Sequence, residues 1–387
     1  MLADTNVVLG VAGSIAAVKT VELAHELRRE GAAVRAVITD SARGIVHPWA
    51  LEFATGNDVV TEITGAVEHV ELFGEDGWAD VLLVAPATAN TVGKVAAAVD
   101  DTPVTTCATV ALGQGVPVVV APAMHEPMYD HPGVLDAINR LESWGVEFVD
   151  PRVEEGKAKI ATEEAIVTKT ARAATPSPLA DLTVVVTSGA TSERIDPVRV
   201  LTNRSSGRTG RAVARACYAD GADVRLLHDG PTVPYASVEQ VESAAEMTAA
   251  AVDAAADADA LVSAAAIGDY TVDPADEKIR SGGSLTLELE PTPKLLDSVR
   301  GAHPDVTLVG FKLETEGDDD ALVAKARDRL ERAGLAFVVA NRSEALGGAE
   351  TRALVVRPES VAEYAGSKAG LGERVAAELA AELGGKT

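Results

Sequence analysis

Between Val184 and Gly210 the chain gathers residue types that handle phosphate. The apolar run Val184-Val185-Val186 reads as a buried parallel strand, and Thr187-Ser188-Gly189-Ala190-Thr191 follows it. Next come Ile195-Asp196-Pro197-Val198-Arg199 and Thr202-Asn203-Arg204-Ser205-Ser206-Gly207-Arg208-Thr209-Gly210, ahead of a helix pattern from Ala212 to Ala219. A strand, a turn of small residues and a glycine at a helix start leave backbone N–H groups free, and the helix dipole favours an anion there. Most such turns are short. The long polar insert with arginines and an asparagine points to chemistry beyond holding a nucleotide.

The first half carries weaker signals. Gly10-Val11-Ala12-Gly13-Ser14-Ile15-Ala16 follows a strand and opens a helix, but lacks the third glycine and the ribose acid of a dinucleotide fingerprint. The hydroxyls of Thr39-Asp40-Ser41-Ala42 suit a terminal phosphate rather than a bridging pyrophosphate. Two more strands end in Ala85-Pro86-Ala87-Thr88-Ala89-Asn90 and Ala121-Pro122-Ala123-Met124-His125. Four polar turns thus lie at strand C-termini, where doubly wound sheets bind ligands. Taken singly, His69 reads as a surface or capping histidine, His125 and Met128 as loop packing, and Cys107 as a small buried apolar group.

These turns need elements to hold them. Asn6–Val11, Val34–Ile38, Val81–Val84, Val118–Val120 and Val146–Val149 read as strands alternating with helices, in one of which Leu23 and Leu27 share a face and Gly31 ends the run. Such alternation predicts a parallel, doubly wound α/β sheet. Thr175-Pro176-Ser177-Pro178 breaks both element types, so the expected division is 1–174, a linker at 175–181, and a second α/β domain at 182–387. Strands of the second domain are read at Val184–Val186, Val224–Leu227, Ala260–Val262, Leu308–Val309, Phe337–Val339 and Leu354–Val356. Leu285, Leu287 and Leu289 alternate with polar residues and predict an antiparallel, half-exposed strand, either a dimerising arm or a covered edge. Leu371, Val375, Leu379 and Leu383 form an i, i+4 stripe read as core packing. Asp318-Asp319-Asp320 is read as a helix cap and not a metal site.

Composition narrows the function. A chain of 387 residues exceeds one ordinary core. With 47% apolar residues it is globular, and with 3% aromatic residues its cores rest on Ala, Val and Leu. A formal net charge of -25 argues against nucleic acid as a partner and suits a salt-rich cytoplasm. The lack of a long apolar span or leader predicts a soluble cytoplasmic protein with no membrane partner. Two cysteines, Cys107 and Cys217, make no disulfide framework or metal spacing.

In their joint order these segments resemble the bifunctional phosphopantothenoylcysteine decarboxylase and phosphopantothenate–cysteine ligase family of coenzyme A biosynthesis, in an archaeal-like form. The blocks in the first half are Gly13–Ala17, Glu68–Leu72, Ala85–Asn90 and Pro122–Tyr129. Those in the second are Asp196–Arg199, Asn203–Gly207, Ala265–Tyr270, Glu277–Arg280 and Val309–Thr315. The resemblance implies a flavodoxin-like first domain holding FMN through Gly13, Ser14, Ile15, Thr39, Ser41, Thr88 and Asn90, with the FMN phosphate near Ser14, Thr39 and Ser41. It implies His69 as a catalytic base toward the substrate thiol, since an imidazole accepts protons near neutral pH. It implies a Rossmann-like second domain that joins 4'-phosphopantothenate to cysteine through an acyl-nucleotide made from CTP with Mg2+, whose ligands no motif assigns. Nucleotide contacts then fall to Gly189, Ala190, Thr191, Ala264, Ala265, Asp269, Lys278, Pro293, Lys294, Leu295, Phe311 and Arg329. Asn203 and Lys278 are expected to be catalytic. A homo-oligomer follows, with trimeric contacts around the flavin and dimeric ones between ligase units.

The chain departs from the family pattern in three places. His125 stands where an asparagine commonly holds the substrate carboxylate; it keeps hydrogen-bond donation and adds charge when protonated. The stretch 154–160 has no flap cysteine, leaving Lys157 or Lys159 as the proton donor, or else an active ligase fused to an impaired or non-catalytic flavin domain. The helix before Gly334 carries Lys325, Arg329 and Arg332 where lysines often meet phosphate, which leaves nucleotide choice open. A flavin prenyltransferase or an NADP-dependent reductase fits the second half poorly, because neither needs Asn203 and Lys278.

Overall fold

The computed structural model describes residues 1–154, 157–342 and 350–385, with backbone alone at 153–154 and 157–158. The chain divides into units Met1–Pro176 and Ser177–Thr387. The break falls inside the stretch read as a linker, but residues 177–181 are built into the second unit. Leu179 is fully buried in its core, and the Leu179 N–H donates to the Asp220 carbonyl at 2.9 Å.

In the first unit, strands β1 (Asn6–Val11), β2 (Ala33–Ile38), β3 (Val81–Ala87), β4 (Val118–Pro122) and β5 (Glu147–Phe148) form a parallel sheet in the order β2-β1-β3-β4-β5. Helices cover both faces, so β1, β3 and β4 are buried almost throughout and read as unbroken apolar runs. Helix Thr20–Arg29 buries Leu23 and Leu27, and Gly31 follows it at φ 102°. Cys107 is on the buried face of helix Pro103–Gln114, and desolvation, then Glu68, pushes its thiol up to about 12, which suits packing and not a nucleophile. Arg152–Glu154 and Lys157–Lys159 form a hairpin that pairs antiparallel with Met124–His125. All three tryptophans lie in this unit: Trp49 and Trp144 are exposed, and Trp78 sits under the Arg35 guanidinium at 5.4 Å.

In the second unit, β6 (Thr183–Thr187), β7 (Asp223–Leu227), β8 (Ser237–Glu239), β9 (Ala260–Ser263), β10 (Thr307–Glu314), β11 (Phe337–Arg342), β12 (Glu350–Val356) and β13 (Val361–Ser367) form one sheet. Its order is β8-β7-β6-β9-β10-β11-β12-β13. The first six are parallel; β12 and β13 are antiparallel additions at the edge. Strand β13 escapes sequence reading because its exposure alternates over small and charged residues with no apolar run. The expected strand around Leu285–Leu289 is shorter. Only Leu289–Pro291 pairs, with Tyr270–Val272, and Leu285 and Leu289 are exposed because nothing among the described residues covers them.

The last helix, Lys368–Gly384, buries Leu371, Val375 and Leu379 against helix Arg208–Ala219, so its stripe is core. Gly372 makes that approach possible: a Cβ there would stand 2.5 Å from the Ala212 carbonyl carbon and oxygen. Gly372→Ala is therefore expected to destabilise the second unit by roughly 1–3 kcal/mol, read as a lower midpoint for that unit in denaturant. Asp318 caps helix Asp319–Ala333 through the Ala321 N–H at 2.9 Å, and Asp319 pairs with Arg342 and Arg352. No group of metal-ligating side chains occurs among the described residues. No described helix is long and apolar enough to cross a membrane.

Candidate functional sites

In the first unit the polar turns meet where the strand order reverses, between β1 and β3. The Ala12 N–H donates to the Pro86 carbonyl and the Ala123 N–H to Ala87, which ties three turns together. Ser14 Oγ donates to the Ala123 carbonyl at 3.1 Å and accepts from the Ala16 N–H, opening the short helix Ile15–Lys19. Thr39 caps the next turn by accepting from the Ala42 N–H at 3.3 Å, and its Oγ1 lies 3.1 Å from Ser41 Oγ. Thr88 caps helix Ala89–Ala96 through the Thr91 N–H, and Asn90 is exposed beside it. Ile15 is 78% exposed.

Gly13 fits this corner because it has no side chain: a Cβ would lie 2.3 Å from Ser41 Oγ and 2.7 Å from Ser41 Cβ. Gly13→Ala is expected to drive the two hydroxyl-bearing turns apart, and if this corner is the phosphate end of the flavin site expected from the sequence, to lower bound flavin per chain after dialysis by about tenfold or more.

His69 lies in helix Glu68–Phe73, and its Nδ1 is buried without a hydrogen-bond partner. The helix is entered through Val67 at φ 50°, an unfavourable left-handed conformation for a β-branched residue. Glu68 anchors the turn by accepting from the Thr64 N–H and hydroxyl, and the hydroxyl bond foremost holds its carboxyl below the usual range. His125 is exposed on the strand that pairs with the 152–159 hairpin. The Lys157 side chain lies outside the described residues; Lys159 is half-buried and engaged.

The second unit holds a cleft of about 760 Å³ at the C-terminal edge of its parallel strands. Asn203, Ala264, Ala265, Asp269, Phe311 and Arg329 line it, as do Pro293, Lys294 and Leu295 at a helix start. Asn203 Nδ2 donates to the Ala266 carbonyl at 3.1 Å, which leaves the rest of the amide for a ligand. Lys294 pairs with Asp269 at 2.7 Å, and Lys312 and Lys325 share Glu314. Arg329 differs. Its Nε is buried without a partner, and burial, then the neighbouring Arg332, lowers its pKa. A guanidinium kept unsatisfied in a cleft is a ready anion ligand.

Gly189, Ala190 and Thr191 do not line the cleft; they brace its floor. The Gly189 carbonyl accepts from the Ala266 N–H at 2.8 Å, and Thr191 Oγ1 accepts from the Gly268 N–H at 2.8 Å. Lys278 does not line it either and is exposed. Its neighbour Ile279 is clamped on both sides: the Ile279 N–H donates to Asp196 Oδ2 at 3.1 Å, and Arg199 Nη1 donates to the Ile279 carbonyl at 3.0 Å. Burial alone would push the Asp196 carboxyl up, but the N–H groups of Val198, Ile279 and Arg199 and the Arg199 guanidinium outweigh it and hold the pKa low. Sequence reading missed Arg208, Lys312 and Lys368 in the cleft wall. For Arg208 and Lys368 the available signal was a cation at a helix start, where the dipole disfavours one; Lys312 lies inside β10 and carries no such signal.

Residues 1–175 match the family model described as Flavoprotein, and residues 179–383 the one described as DNA/pantothenate metabolism flavoprotein C-terminal domain. The two units thus define a flavoprotein fused to a pantothenate-metabolism domain. The chain is 49% identical to the coenzyme A biosynthesis bifunctional protein CoaBC of Thermococcus kodakarensis, across 92% of this chain and 89% of that one. It is 34% identical to the protein of the same description from Methanocaldococcus jannaschii, across 97% and 93%. A solved FMN-dependent cysteine decarboxylase, SpaF, is 31% identical with a TM-score of 0.40, covering 45% of this chain and 100% of its own. The chain belongs to the family of bifunctional coenzyme A biosynthesis proteins, enzymes with decarboxylase and ligase activities.

Proposed function

We propose that the second unit condenses 4'-phosphopantothenate with cysteine, using CTP and Mg2+ to activate the carboxylate, and that the first unit decarboxylates the product with FMN. The observation that carries the ligase reading is the cleft: an amide donor (Asn203), an acid–base pair (Asp269 and Lys294) and an unsatisfied buried guanidinium (Arg329) face one space. A carboxylate and an amine do not condense in water without activation, and an activating phosphoryl transfer needs positive charge around the phosphates. Arg329 and Arg332 supply it, and Asn203 holds the acyl-nucleotide by hydrogen bonds, a role that its position in the cleft lining supports. Lys278 comes to the reaction on the segment that the Asp196–Arg199 clamp anchors.

The first unit fits a phosphate-bearing flavin. Three hydroxyls (Ser14, Thr39 and Ser41) gather around a glycine that admits no Cβ, and a buried imidazole nitrogen stands without a partner. Bound there, the flavin supplies the two-electron oxidation and return reduction that make loss of CO2 feasible. His69 would take the substrate thiol proton, His125 would meet the substrate carboxylate, and Thr88 and Asn90 would help hold the flavin. A homo-oligomer is part of this reading. Exposed Ile15, Trp49 and Phe53 on the first unit support it. The place of work is the cytoplasm.

The test supplies phosphopantothenate, cysteine, CTP and Mg2+ and follows pyrophosphate and CO2 separately. Both products from a yellow preparation are expected. A colourless protein that releases no pyrophosphate overturns the reading, and ATP outperforming CTP corrects the nucleotide.

A further inference from the structure

The cleft of the second unit has a second cationic wall. Alternate strand residues belong to two cores. Val184, Val186 and Val262 pack with helices Arg208–Ala219 and Lys368–Gly384, whereas Val185, Leu261 and Leu308 pack with helices Leu295–Ala302 and Asp319–Ala333. Side chains alternate across a sheet, so the cleft at its edge is walled from both faces. Arg329 and its neighbours stand on one wall. Arg208 and Lys368 stand on the other, each the first residue of its helix.

Their closeness is built in. Gly372 lies against the Ala212 backbone, and these residues are one helical turn beyond Lys368 and Arg208 respectively. Side chains lean toward a helix N-terminus, so this contact sets the two cations beside each other at the cleft mouth. Burial, then Arg208, lowers the Lys368 pKa, and among the described residues no carboxylate pairs with Lys368. The N-cap Gly207, at φ 67°, offers no side chain to the first-turn amides of its helix. Two like charges on two helix starts repel each other and oppose both dipoles. An anion between them reverses every one of these terms.

We propose that Lys368 and Arg208 form a second phosphate subsite, which holds a phosphate group of one substrate across the cleft from Arg329. Two sources share that chemistry: the polyphosphate tail of the nucleotide and the phosphomonoester of the acid. The assay arm rests on the ligase reading; the binding arm does not.

The experiment uses the full chain as Lys368→Gln and Lys368→Arg. Pyrophosphate release gives KM for each substrate, and calorimetry gives the affinity for inorganic tripolyphosphate and for inorganic phosphate. Loss of one charge-assisted contact predicts a roughly 10- to 100-fold rise in one KM, with kcat little changed, and a matching loss of affinity for one inorganic probe. The arginine variant should stay within about threefold of wild type, because the charge is kept. A shifted nucleotide KM assigns the subsite to the polyphosphate, and a shifted acid KM to the phosphomonoester. Unchanged KM values and unchanged probe affinities in Lys368→Gln overturn the proposal. If wild type releases no pyrophosphate yet binds tripolyphosphate through Lys368, the ligase reading fails and the subsite stands.

Discussion

Asn203→Ala should lose ligation by roughly 100- to 1000-fold while keeping the flavin spectrum of wild type. Asn203 is exposed to the cleft and held by one bond, Nδ2 to the Ala266 carbonyl, so its removal opens no core cavity. The acceptor left behind belongs to the 264–269 loop, which Gly189 and Thr191 brace independently. Folding therefore survives, and the deficit is chemical. The proposed role of Asn203 is toward the acyl-nucleotide and not the free substrates, so on that proposal kcat should fall more than KM rises. Either the intermediate accumulates, seen as pyrophosphate without amide, or both products fail together. Normal amide formation in this variant would remove Asn203 from the mechanism.

His69→Gln should cut decarboxylation of supplied substrate by about 100- to 10000-fold and leave pyrophosphate release untouched. Glutamine preserves size and hydrogen bonding but cannot accept a proton. Helix Glu68–Phe73 has only six residues, and it is positioned by a Val67 conformation that costs of order 1–3 kcal/mol. Such strain persists where surroundings enforce it, here the Glu68–Thr64 bonds on one side and buried Leu72 and Phe73 on the other. The outcome is a His69 Nδ1 that is out of water and without a hydrogen-bond partner. Full activity in the glutamine variant would return His69 to the role of a packing residue.

Most of the fold was legible because parallel strands buried on both faces must be apolar throughout, as Val81–Val84 and Val184–Val186 are. The break near Pro176 was legible from proline alone. Beyond those, pattern fails where context decides. Strand β13 has no apolar run because it lies at an edge, and Leu285–Leu289 carries a strand pattern that one chain does not use. The family resemblance, not residue type alone, singled out Asn203, Asp269 and Arg329, which line the cleft, and Gly189–Thr191, which stand one layer behind its lining. Lys368 was out of reach for another reason: it lies 165 positions from Asn203, and only the crossing at Gly372 brings its helix to the same edge.

The distribution of indole rings has an optical consequence. Trp49, Trp78 and Trp144 all belong to one unit, so tryptophan emission from the intact chain is blind to the other. Chemical unfolding followed by emission reports the flavin-binding half, whereas backbone dichroism sums both. The offset between the two curves separates their stabilities without cutting the protein, and it tells at once which half a given substitution has weakened.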